Sequence, residues 1–576
     1  MSVFTNIDGI YAKDVELRQG IEVVKEEIGY EVDNTMPNTQ YFTGIDVVDG
    51  ASADVADAEA RADLEDIKDY IGYDDTIAGI EADFENKVFT RLAGAKGKSG
   101  GTDFNVFATY SGMRRCNLAD DGTVNAYYGD AGYTEDGSNG QVMVEIPKCY
   151  YKMIPLKLQA QDWEDYEATT WVSGTKYTKD TSVVTYEGAY YICSTTNQDE
   201  EFTPANWHEI TTLGLMGYHL LKARYYISAT MREGFKVHPA FIIKGTSAPQ
   251  VMTRDYVYIG AFDGIIYDVS ASAYLLNDEQ VADVTATTGD KLSSIGGVYE
   301  REYTYYTSSS ETNTITVTAG PKPASGRTAS NNLTRHKCTI LGQNRGAGWC
   351  QMTIEIASLV QLLYAVEYAS FNWQDRGAGV TYVLDLSVEN CSSFIGSTSS
   401  LGNTSGNATT TIDYTGTAQT TSGYLATSYR GIENFFGNIW TFVDGVNIYG
   451  AYENGGGHPY ICTDGVYTED RHSDNYEGVG FTVANATSAY IRYFGYGNSK
   501  YDWLFMASQL GHTANSSLPV GDWHYITKNL NGHRVAYLGG YWHRSHSAYC
   551  GGCYWSLNGT SSTRSRYVGG RLAYGV

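Results

Sequence analysis

The stretch that decides the fold is Tyr429–Gly445, which reads YRGIENFFGNIWTFVDG. It contains a Gly-Asn-Ile-Trp-Thr-Phe strand that is followed by an acidic turn. Two further glycine-rich strands follow, Leu538–Trp542 (LGGYW) and Val568–Ala573 (VGGRLA). Short apolar strands bounded by glycines are typical of a β-rich domain, and we expect one over residues 331–576.

These three motifs resemble the signature of the formylglycine-generating-enzyme branch of the C-type-lectin fold. The resemblance implies a C-type-lectin-like domain over 331–576. Enzymes of that branch need a reactive cysteine pair, for which Cys550-Gly-Gly-Cys553 is the nearest candidate. A lone Cys-x-x-Cys is a weak zinc signal, and its redox use requires a βαβ context that is absent. We therefore expect no catalytic residue, no metal and no cofactor.

The last 46 residues, Asn531–Val576, have an unusual composition. They contain no Lys, Glu, Gln, Met, Asp, Phe, Pro or Ile, in a chain with 66 acidic residues. A codon of the form A-A-pyrimidine with randomised adenines yields neither Lys, Glu, Gln, Met nor Trp. Every residue of Tyr541–Tyr567 belongs to the accessible set except Trp542 and Trp555, which we assign to the scaffold together with Gly570 and Arg571.

This pattern resembles the hypervariable proteins of diversity-generating retroelements, whose variable repeat closes a C-type-lectin domain. The resemblance implies exchangeable receptor-binding residues on a fixed frame, namely Tyr541, His543, Arg544, His546, Tyr549, Tyr554, Ser556, Asn558, Arg564, Arg566 and Tyr567. Tyr, Ser, Asn and Arg are also the residues that antibody paratopes use. The alternative is a plain Gly/Ser/Tyr β-hairpin.

Charge and size limit the classes of partner. The formal net charge of −26 argues against nucleic-acid binding, because phosphates are neutralised by clustered Lys and Arg. Residues 531–576 nevertheless carry five Arg and no acid, which suits anionic surface polymers or acidic protein loops. At 576 residues the chain predicts two to four domains.

Membrane insertion and secretion are not expected. The N-terminus has neither a basic nor an apolar signal region, and no long apolar run occurs. Nine scattered cysteines do not resemble a disulfide framework, so most should be small buried residues.

Residues 1–100 predict a short helical stem. Leu64, Ile67 and Ile71, and then Ile77, Ile80, Phe84, Val88 and Leu92, recur at three- and four-residue spacings. This region is either an ordinary helical hairpin or a homotrimeric stem that attaches to a virion, since a narrow apolar stripe buries best against its own copies. The segment Ala95–Gly101 (AKGKSGG) predicts a linker.

The middle of the chain predicts a β-rich spacer domain over 101–161 and 212–330, where alternating apolar strands recur. Met352–Tyr368 predicts a helix with one apolar face. The Ser/Thr/Gly-rich stretch Glu389–Ser428 predicts a long surface loop. The overall expectation is a mostly β, α+β fold.

Residues 162–211 interrupt the spacer with WVSGTKYT, VVTYEGAYYIC and PANWHEI. These motifs resemble the small chitin-binding-type carbohydrate-binding modules, with Asp180-Thr181-Ser182 in place of the usual Gly-Asp. The resemblance implies glycan contact by the aromatic residues Trp171, Tyr177, Tyr186, Tyr190, Tyr191 and Trp207, since sugar rings stack on flat aromatic faces. The alternative is that Trp171 and Trp207 form the small core.

Taken together, the resemblances imply a phage tail receptor-binding protein, made in the host cytoplasm and carried on the virion. Its expected partners are a bacterial surface protein or glycan and other tail proteins, and we expect a homotrimer because avidity multiplies weak contacts. The alternative is a glycan-degrading tail enzyme, which needs two converging carboxylates. Glu433 and Asp444 lie in the right domain but belong to the structural signature.

Overall fold

The computed structural model describes residues 74–161, 168–179, 182–210, 217–245, 251–277, 289–306, 312–324, 333–381, 392–411, 418–419, 425–450, 457–485, 488–511, 520–526, 530–542 and 550–575. They belong to the larger of two compact units, Ala58–Val576. The helix predicted over Leu64–Ile71 lies outside the described residues. The exchangeable residues His543, Arg544, His546 and Tyr549 lie outside them as well.

The mostly β fold is confirmed, and its largest sheet has fourteen strands. Ten strands lie in the order Lys236–Val237, Tyr150–Ala160, Tyr218–Ser228, Ser488–Tyr496, Trp523–Tyr525, Gly551–Gly559, Gly532–Gly539, Trp440–Gly450, Gly457–Cys462 and Tyr476–Gly478. The other four strands of this sheet pair outside that order, and they are Ala78–Asp83, Val88–Ala93, Ala507–Gly511 and Val568–Gly569.

A second sheet of six strands holds the C-terminal end of the chain. Its order is Trp349–Gln351, Leu572–Tyr574, Tyr256–Gly260, Gln141–Pro147, Arg114–Leu118 and Val124–Tyr127. The C-terminal strand Leu572–Tyr574 therefore lies between Trp349–Gln351 and Tyr256–Gly260. This pairing fixes the C-terminal segment to the middle of the chain.

The remaining strands form smaller sheets. One sheet has the four strands Thr169–Thr170, Val183–Tyr186, Ala189–Cys193 and Trp207–Ile210, and a second has the three strands Ile265–Asp268, Ala273–Leu275 and Lys291–Ser293. A third consists of Tyr299–Tyr306 and Thr312–Ala319. The fourth consists of Gly406–Thr411, Ala418–Gln419, Leu425–Tyr429 and Ile432–Glu433. Within the described ranges the α-helices are Ala108–Ser111, Arg335–Gln343 and Ile354–Tyr368. Short 3-10 turns cover Gly101–Val106, Pro204–Asn206, Pro239–Phe241, Trp373–Arg376 and Ser399–Leu401.

The predicted boundary near residue 330 does not separate two cores. Both large sheets combine strands from before and after it, and one apolar cluster runs from Ala78 to Ala573. The boundary was the start of the region that resembles the C-type-lectin fold, but long-range strand pairing joins the parts before and after it.

The helix Ile354–Tyr368 confirms the helical prediction for Met352–Tyr368, but all fifteen of its residues are buried, not one face alone. Its buried Glu367 is paired inside the core: Glu367 Oε2 accepts hydrogen bonds from Arg430 Nε at 2.6 Å and from the Tyr429 hydroxyl at 3.0 Å. Among the residues that the structure describes, no helix is long and apolar enough to cross a membrane.

The helical prediction over residues 77–92 is wrong. The segment is a β-hairpin of Ala78–Asp83 and Val88–Ala93, and the first strand pairs with Tyr218–Ser228. Ala78, Ile80 and Ala82 face the core at a spacing of two, while Val88 is exposed. Because Ala78 and Ala82 are small, the larger apolar residues alone show spacings of three and four, which resemble those of a helix and not the alternation of a strand.

The predicted linker Ala95–Gly101 is also part of the body. Ala95 is buried, and the Gly101 amide donates to Glu367 Oε1 at 2.9 Å. A Cβ on Gly100 would lie 2.3 Å from the Tyr368 ring, which explains the glycine there. These glycines permit close packing against the central helix, Ile354–Tyr368, and do not form a flexible linker.

The stretch Glu389–Ser428 is not simply a surface loop where it is described. Ser393, Phe394 and Ile395 are buried, and Gly406–Thr411 pairs with Leu425–Tyr429. Its hydroxyl-rich composition satisfies buried polar groups, since Thr398 donates from both its amide (2.6 Å) and its hydroxyl (2.8 Å) to Glu433.

Candidate functional site

The C-terminal segment Asn531–Gly575 is built on a buried frame. Trp542 and Trp555 are almost fully buried. The Trp542 amide donates to the Asn438 carbonyl at 2.8 Å, and Trp555 Nε1 donates to the Phe505 carbonyl at 2.7 Å. The two tryptophans therefore occupy the scaffold positions that the sequence analysis assigned to them.

Arg571 ties this frame to the signature strand. Its guanidinium donates to Asp263 Oδ1 at 2.6 Å and to the carbonyls of Gly260, Glu433 and Asn434 at 2.8–2.9 Å. Asp263 Oδ2 in turn accepts from the Asn438 side chain at 2.8 Å. Burial raises the pKa of Asp263, and contact with Arg571 opposes that rise. A buried pair of this kind fixes geometry more than it adds stability.

The Cys-Gly-Gly-Cys motif is a packing motif. A Cβ on Gly551 would lie 2.0 Å from Asp522 Oδ1, and a Cβ on Gly552 would lie 2.2 Å from the Trp373 ring. Both cysteines are buried and free, and burial raises the pKa of the Cys553 thiol well above its ordinary value. A thiol of that kind is a small apolar residue and not a nucleophile.

Tyr554 and Ser556 are not on the surface, which corrects their assignment as receptor contacts. Both are buried in the strand Gly551–Gly559, which lies between two other strands of the large sheet. The Tyr554 ring packs edge-on against Trp440 with centroids 4.5 Å apart. Because both faces of the strand are covered at these two positions, the side chains of Tyr554 and Ser556 are not available to a partner.

The other described contact candidates reach solvent. Arg564 is exposed, and Tyr541, Asn558, Arg566 and Tyr567 are half-buried. The Tyr541 and Tyr567 rings stack with centroids 4.4 Å apart, and the Arg566 guanidinium lies 5.9 Å from the Trp542 ring centroid. Tyr541, Arg566 and Tyr567 thus lie around the buried Trp542, and Asn558 lies near the end of the strand Gly551–Gly559.

The described residues of the insert form a four-stranded sheet with its own small apolar clusters. Its sheet and both of its apolar clusters consist of residues 168–210. The Tyr-x-Gly part of its signature is a hairpin turn, since Glu187 and Gly188 both have positive φ (48° and 84°) between Val183–Tyr186 and Ala189–Cys193. Two such residues match the twist of a hairpin.

The predicted glycan contacts of the insert divide into three groups. Tyr177 and Trp207 are only 5% exposed and form its core, so their assignment as contacts is corrected. Tyr190 packs with Val183, Ile192 and Ile210 on one face. Trp171, Tyr186 and Tyr191 lie half-buried on the opposite face.

Phe202 also lies on that face and was not among the residues predicted from the sequence to contact a glycan. Its ring stacks on Tyr186 with centroids 4.0 Å apart and on Trp207 at 5.4 Å. The signal was one aromatic residue within an acidic loop, which no motif singles out. The ligand-facing candidates are therefore Trp171, Tyr186, Tyr191 and Phe202.

Glu433 and Asp444 are held as structural groups. Both are buried, and burial raises both pKa values. Asp444 Oδ1 accepts from Thr339 and from Gln351, both at 2.9 Å. Within the described part of the chain, no group of three His, Cys, Asp or Glu is placed to hold a metal ion.

No protein-family model matches the chain, and no curated protein matches it. Among solved structures it is similar to the Major Tropism Determinant M1 variant (11% identity, TM-score 0.20), the U1 variant (12%, 0.21) and the I1 variant (12%, 0.20). Each alignment covers 77% of this chain and 84% of the other. Likenesses of this size assign neither a family nor the role of any residue.

Proposed function

We propose that this chain is a receptor-binding protein of a phage tail, which displays an exchangeable surface on a C-type-lectin-like scaffold. Its partner is a bacterial surface protein or glycan, and other tail proteins hold it on the virion as a homotrimer. The observation that carries the proposal is the division of the C-terminal segment into a buried frame and a solvent-facing set. Trp542, Trp555 and Arg571 belong to the buried frame, whereas the exposed Arg564 belongs to the solvent-facing set.

The chemistry of the exposed set supports recognition of a partner. Tyr541, Asn558, Arg564, Arg566 and Tyr567 combine aromatic area with adaptable polar groups, as paratopes do. The segment contains no acid, and its exposed Arg564 presents positive charge on a chain of net charge −26. Opposite charge on a partner would raise the association rate and select against cationic surfaces.

The burial of residues 550–556 narrows the exchangeable positions. Gly551, Gly552, Tyr554 and Ser556 all belong to the codon set, but each is fixed by packing. Exchange is therefore confined to residues on either side, namely Tyr541 and 543–549 before this stretch and 558–567 after it. The proposal assigns receptor contact to His543, Arg544, His546 and Tyr549 on the first side.

The insert contributes a second contact through Trp171, Tyr186, Tyr191 and Phe202. Flat aromatic rings that keep one face or edge in solvent suit the apolar faces of sugar rings. A small module with its own core can carry such a surface without altering the main body. It would add avidity to the C-terminal contact when both reach one cell surface.

The test replaces Arg564, Arg566 and Tyr567 by alanine and measures adsorption to host cells together with the melting temperature. We expect adsorption to be lost while the protein stays folded. The free energy of unfolding should change by less than about 0.5 kcal/mol for the exposed Arg564, and by about 1 kcal/mol each for the half-buried Arg566 and Tyr567. Arg471→Ala is the matched control, since Arg471 is an exposed arginine outside the segment. Unchanged adsorption of the triple variant contradicts the proposal.

Two further measurements separate the alternatives. Release of reducing sugar from host cell wall by the intact protein would favour the glycan-degrading enzyme, and the proposal expects none. Sedimentation of the chain with and without residues 1–73 tests the trimer and its attachment region. Full association of the shortened chain would place the trimer contacts elsewhere.

A further inference from the structure

A cavity of about 230 Å³ lies beside the central helix and outside the C-terminal segment. Its lining is mainly aromatic and includes Tyr364, Tyr368, Trp373, Tyr429 and Phe435, with Arg376 among them. We call it the Arg376 cavity.

The aromatic wall of the Arg376 cavity is held in place before any ligand arrives. The Trp373 ring stacks on Tyr364 with centroids 3.7 Å apart and planes 11° apart, and it stacks on Phe435 at 5.0 Å. The Tyr364 hydroxyl donates to the Asn372 carbonyl at 3.1 Å. A wall fixed in this way loses little conformational entropy when a ligand binds.

Arg376 supplies an available positive charge. Its side chain is exposed, and its guanidinium lies over the Tyr368 ring, 4.8 Å from the centroid. Within the described ranges no carboxylate forms an ion pair with it, since Asp375 accepts hydrogen bonds from Ser370 and Asn372. The Asn407 side chain donates to the Arg376 carbonyl at 2.8 Å and so anchors this turn.

Hydroxyl and backbone groups complete the lining. Ser405, Thr427 and Gly406 line the cavity beside the aromatic rings. The wall therefore offers apolar ring edges, hydroxyl groups and a guanidinium at the solvent side. A ligand that fits must have apolar C–H surface, polar substituents and a negative charge.

From this arrangement we infer that the Arg376 cavity binds one sugar ring that carries a carboxylate or a phosphate. Drug-sized ligands fill cavities of about 300–1,000 Å³, so a cavity of about 230 Å³ suits a single ring. A planar guanidinium binds carboxylate or phosphate through two parallel hydrogen bonds. The C–H groups of the ring pack against the tyrosine and tryptophan edges.

The Arg376 cavity adjoins the frame of the C-terminal segment. An added Cβ on Gly552 would lie 2.2 Å from the Trp373 ring. The lining residues themselves lie between Gly100 and Phe436, so none belongs to the C-terminal segment. Sugar binding at the cavity can therefore be tested separately from receptor binding by that segment.

The experiment titrates the full chain with D-glucuronic acid, D-glucose 6-phosphate and D-glucose, and follows binding by calorimetry and tryptophan fluorescence. We expect at least one acidic sugar to bind about tenfold or more tighter than glucose, because a charge-assisted hydrogen bond to Arg376 adds binding free energy. The carboxylate and phosphate arms distinguish the two sources of the charge.

The Arg376→Gln variant should bind the acidic sugar no better than glucose, with an unchanged melting temperature because the side chain is exposed. Arg471→Gln, at an exposed arginine outside both the cavity and the C-terminal segment, is the control that should keep the preference. Absence of saturable binding by both acidic sugars overturns the inference. Acidic-sugar binding that survives Arg376→Gln unchanged overturns it too.

Discussion

The insert and the C-terminal segment are both rich in tyrosine, tryptophan and glycine, yet they use these residues differently. The insert is a four-stranded sheet that leaves Trp171, Tyr186 and Tyr191 half-buried on one face. The strand Gly551–Gly559 lies inside a fourteen-stranded sheet, and every residue in it except Asn558 is buried. The same composition thus gives an exposed aromatic face in a thin unit, and a core strand where neighbours cover both faces.

The largest effect should come from the frame of the C-terminal segment. Trp555→Ala should lower the free energy of unfolding by about 3–5 kcal/mol, because it removes a buried indole and leaves a cavity. Equilibrium unfolding in urea checks this. Trp171→Ala is the matched change in the insert and should leave the main transition in place. Equal effects on the main transition would break the comparison.

A smaller effect is expected where glycine permits close packing. Gly552→Ala places a methyl group 2.2 Å from the Trp373 ring and should cost about 1–3 kcal/mol. Gly188→Ala is the control in the insert, where nothing lies within 4 Å of an added Cβ, although its φ of +84° carries some strain. Thermal unfolding of the main body should be lowered by the first change and not by the second.

The carboxyl beneath the C-terminal strand gives a pH-dependent effect. Burial raises the pKa of Asp522 well above its ordinary value, and its Oδ2 accepts from the Cys553 amide at 2.8 Å. Because the unfolded carboxyl ionises near pH 3.9, the stability from neutral Asp522 is present below that pH and is lost as the pH rises toward the folded pKa.

Asp522→Asn keeps a carbonyl acceptor and cannot ionise, so its stability relative to the parent should increase between pH 4 and pH 7. Urea unfolding across this range measures the difference. Asp474→Asn, at an exposed position, serves as the control. A constant difference between Asp522→Asn and the parent would show that the carboxyl ionises alike in the folded and unfolded states, which contradicts the raised pKa.

The smallest effect should follow removal of the insert. The Gln161 amide donates to the Gly217 carbonyl at 3.0 Å, so the entry and exit of the insert are neighbours. Replacing residues 162–216 by a short turn should change the main melting transition little, because the loop-closure entropy varies slowly with length. A large loss of stability would mean that the insert supports the main body.

The sequence alone determined the features that depend on local chemistry. The alternation and glycine spacing of Tyr429–Gly445 predicted a mostly β fold, and the apolar periodicity of Met352–Tyr368 predicted the central helix. The aromatic and turn residues of 162–211 predicted a separate β unit. The positions of Trp542 and Trp555 in a segment without Lys or Glu predicted a buried frame.

Tertiary structure decided which residues are covered, since burial depends on neighbours that are distant in the chain. Ile80 and Phe84 fit a helical spacing and a strand equally well, and pairing with Tyr218–Ser228 selected the strand. Tyr554 is a paratope-type residue, but Trp440 covers it. Arg376 and Tyr429 meet at one cavity although 53 positions separate them, because the folding of the sheet around the central helix brings their segments together.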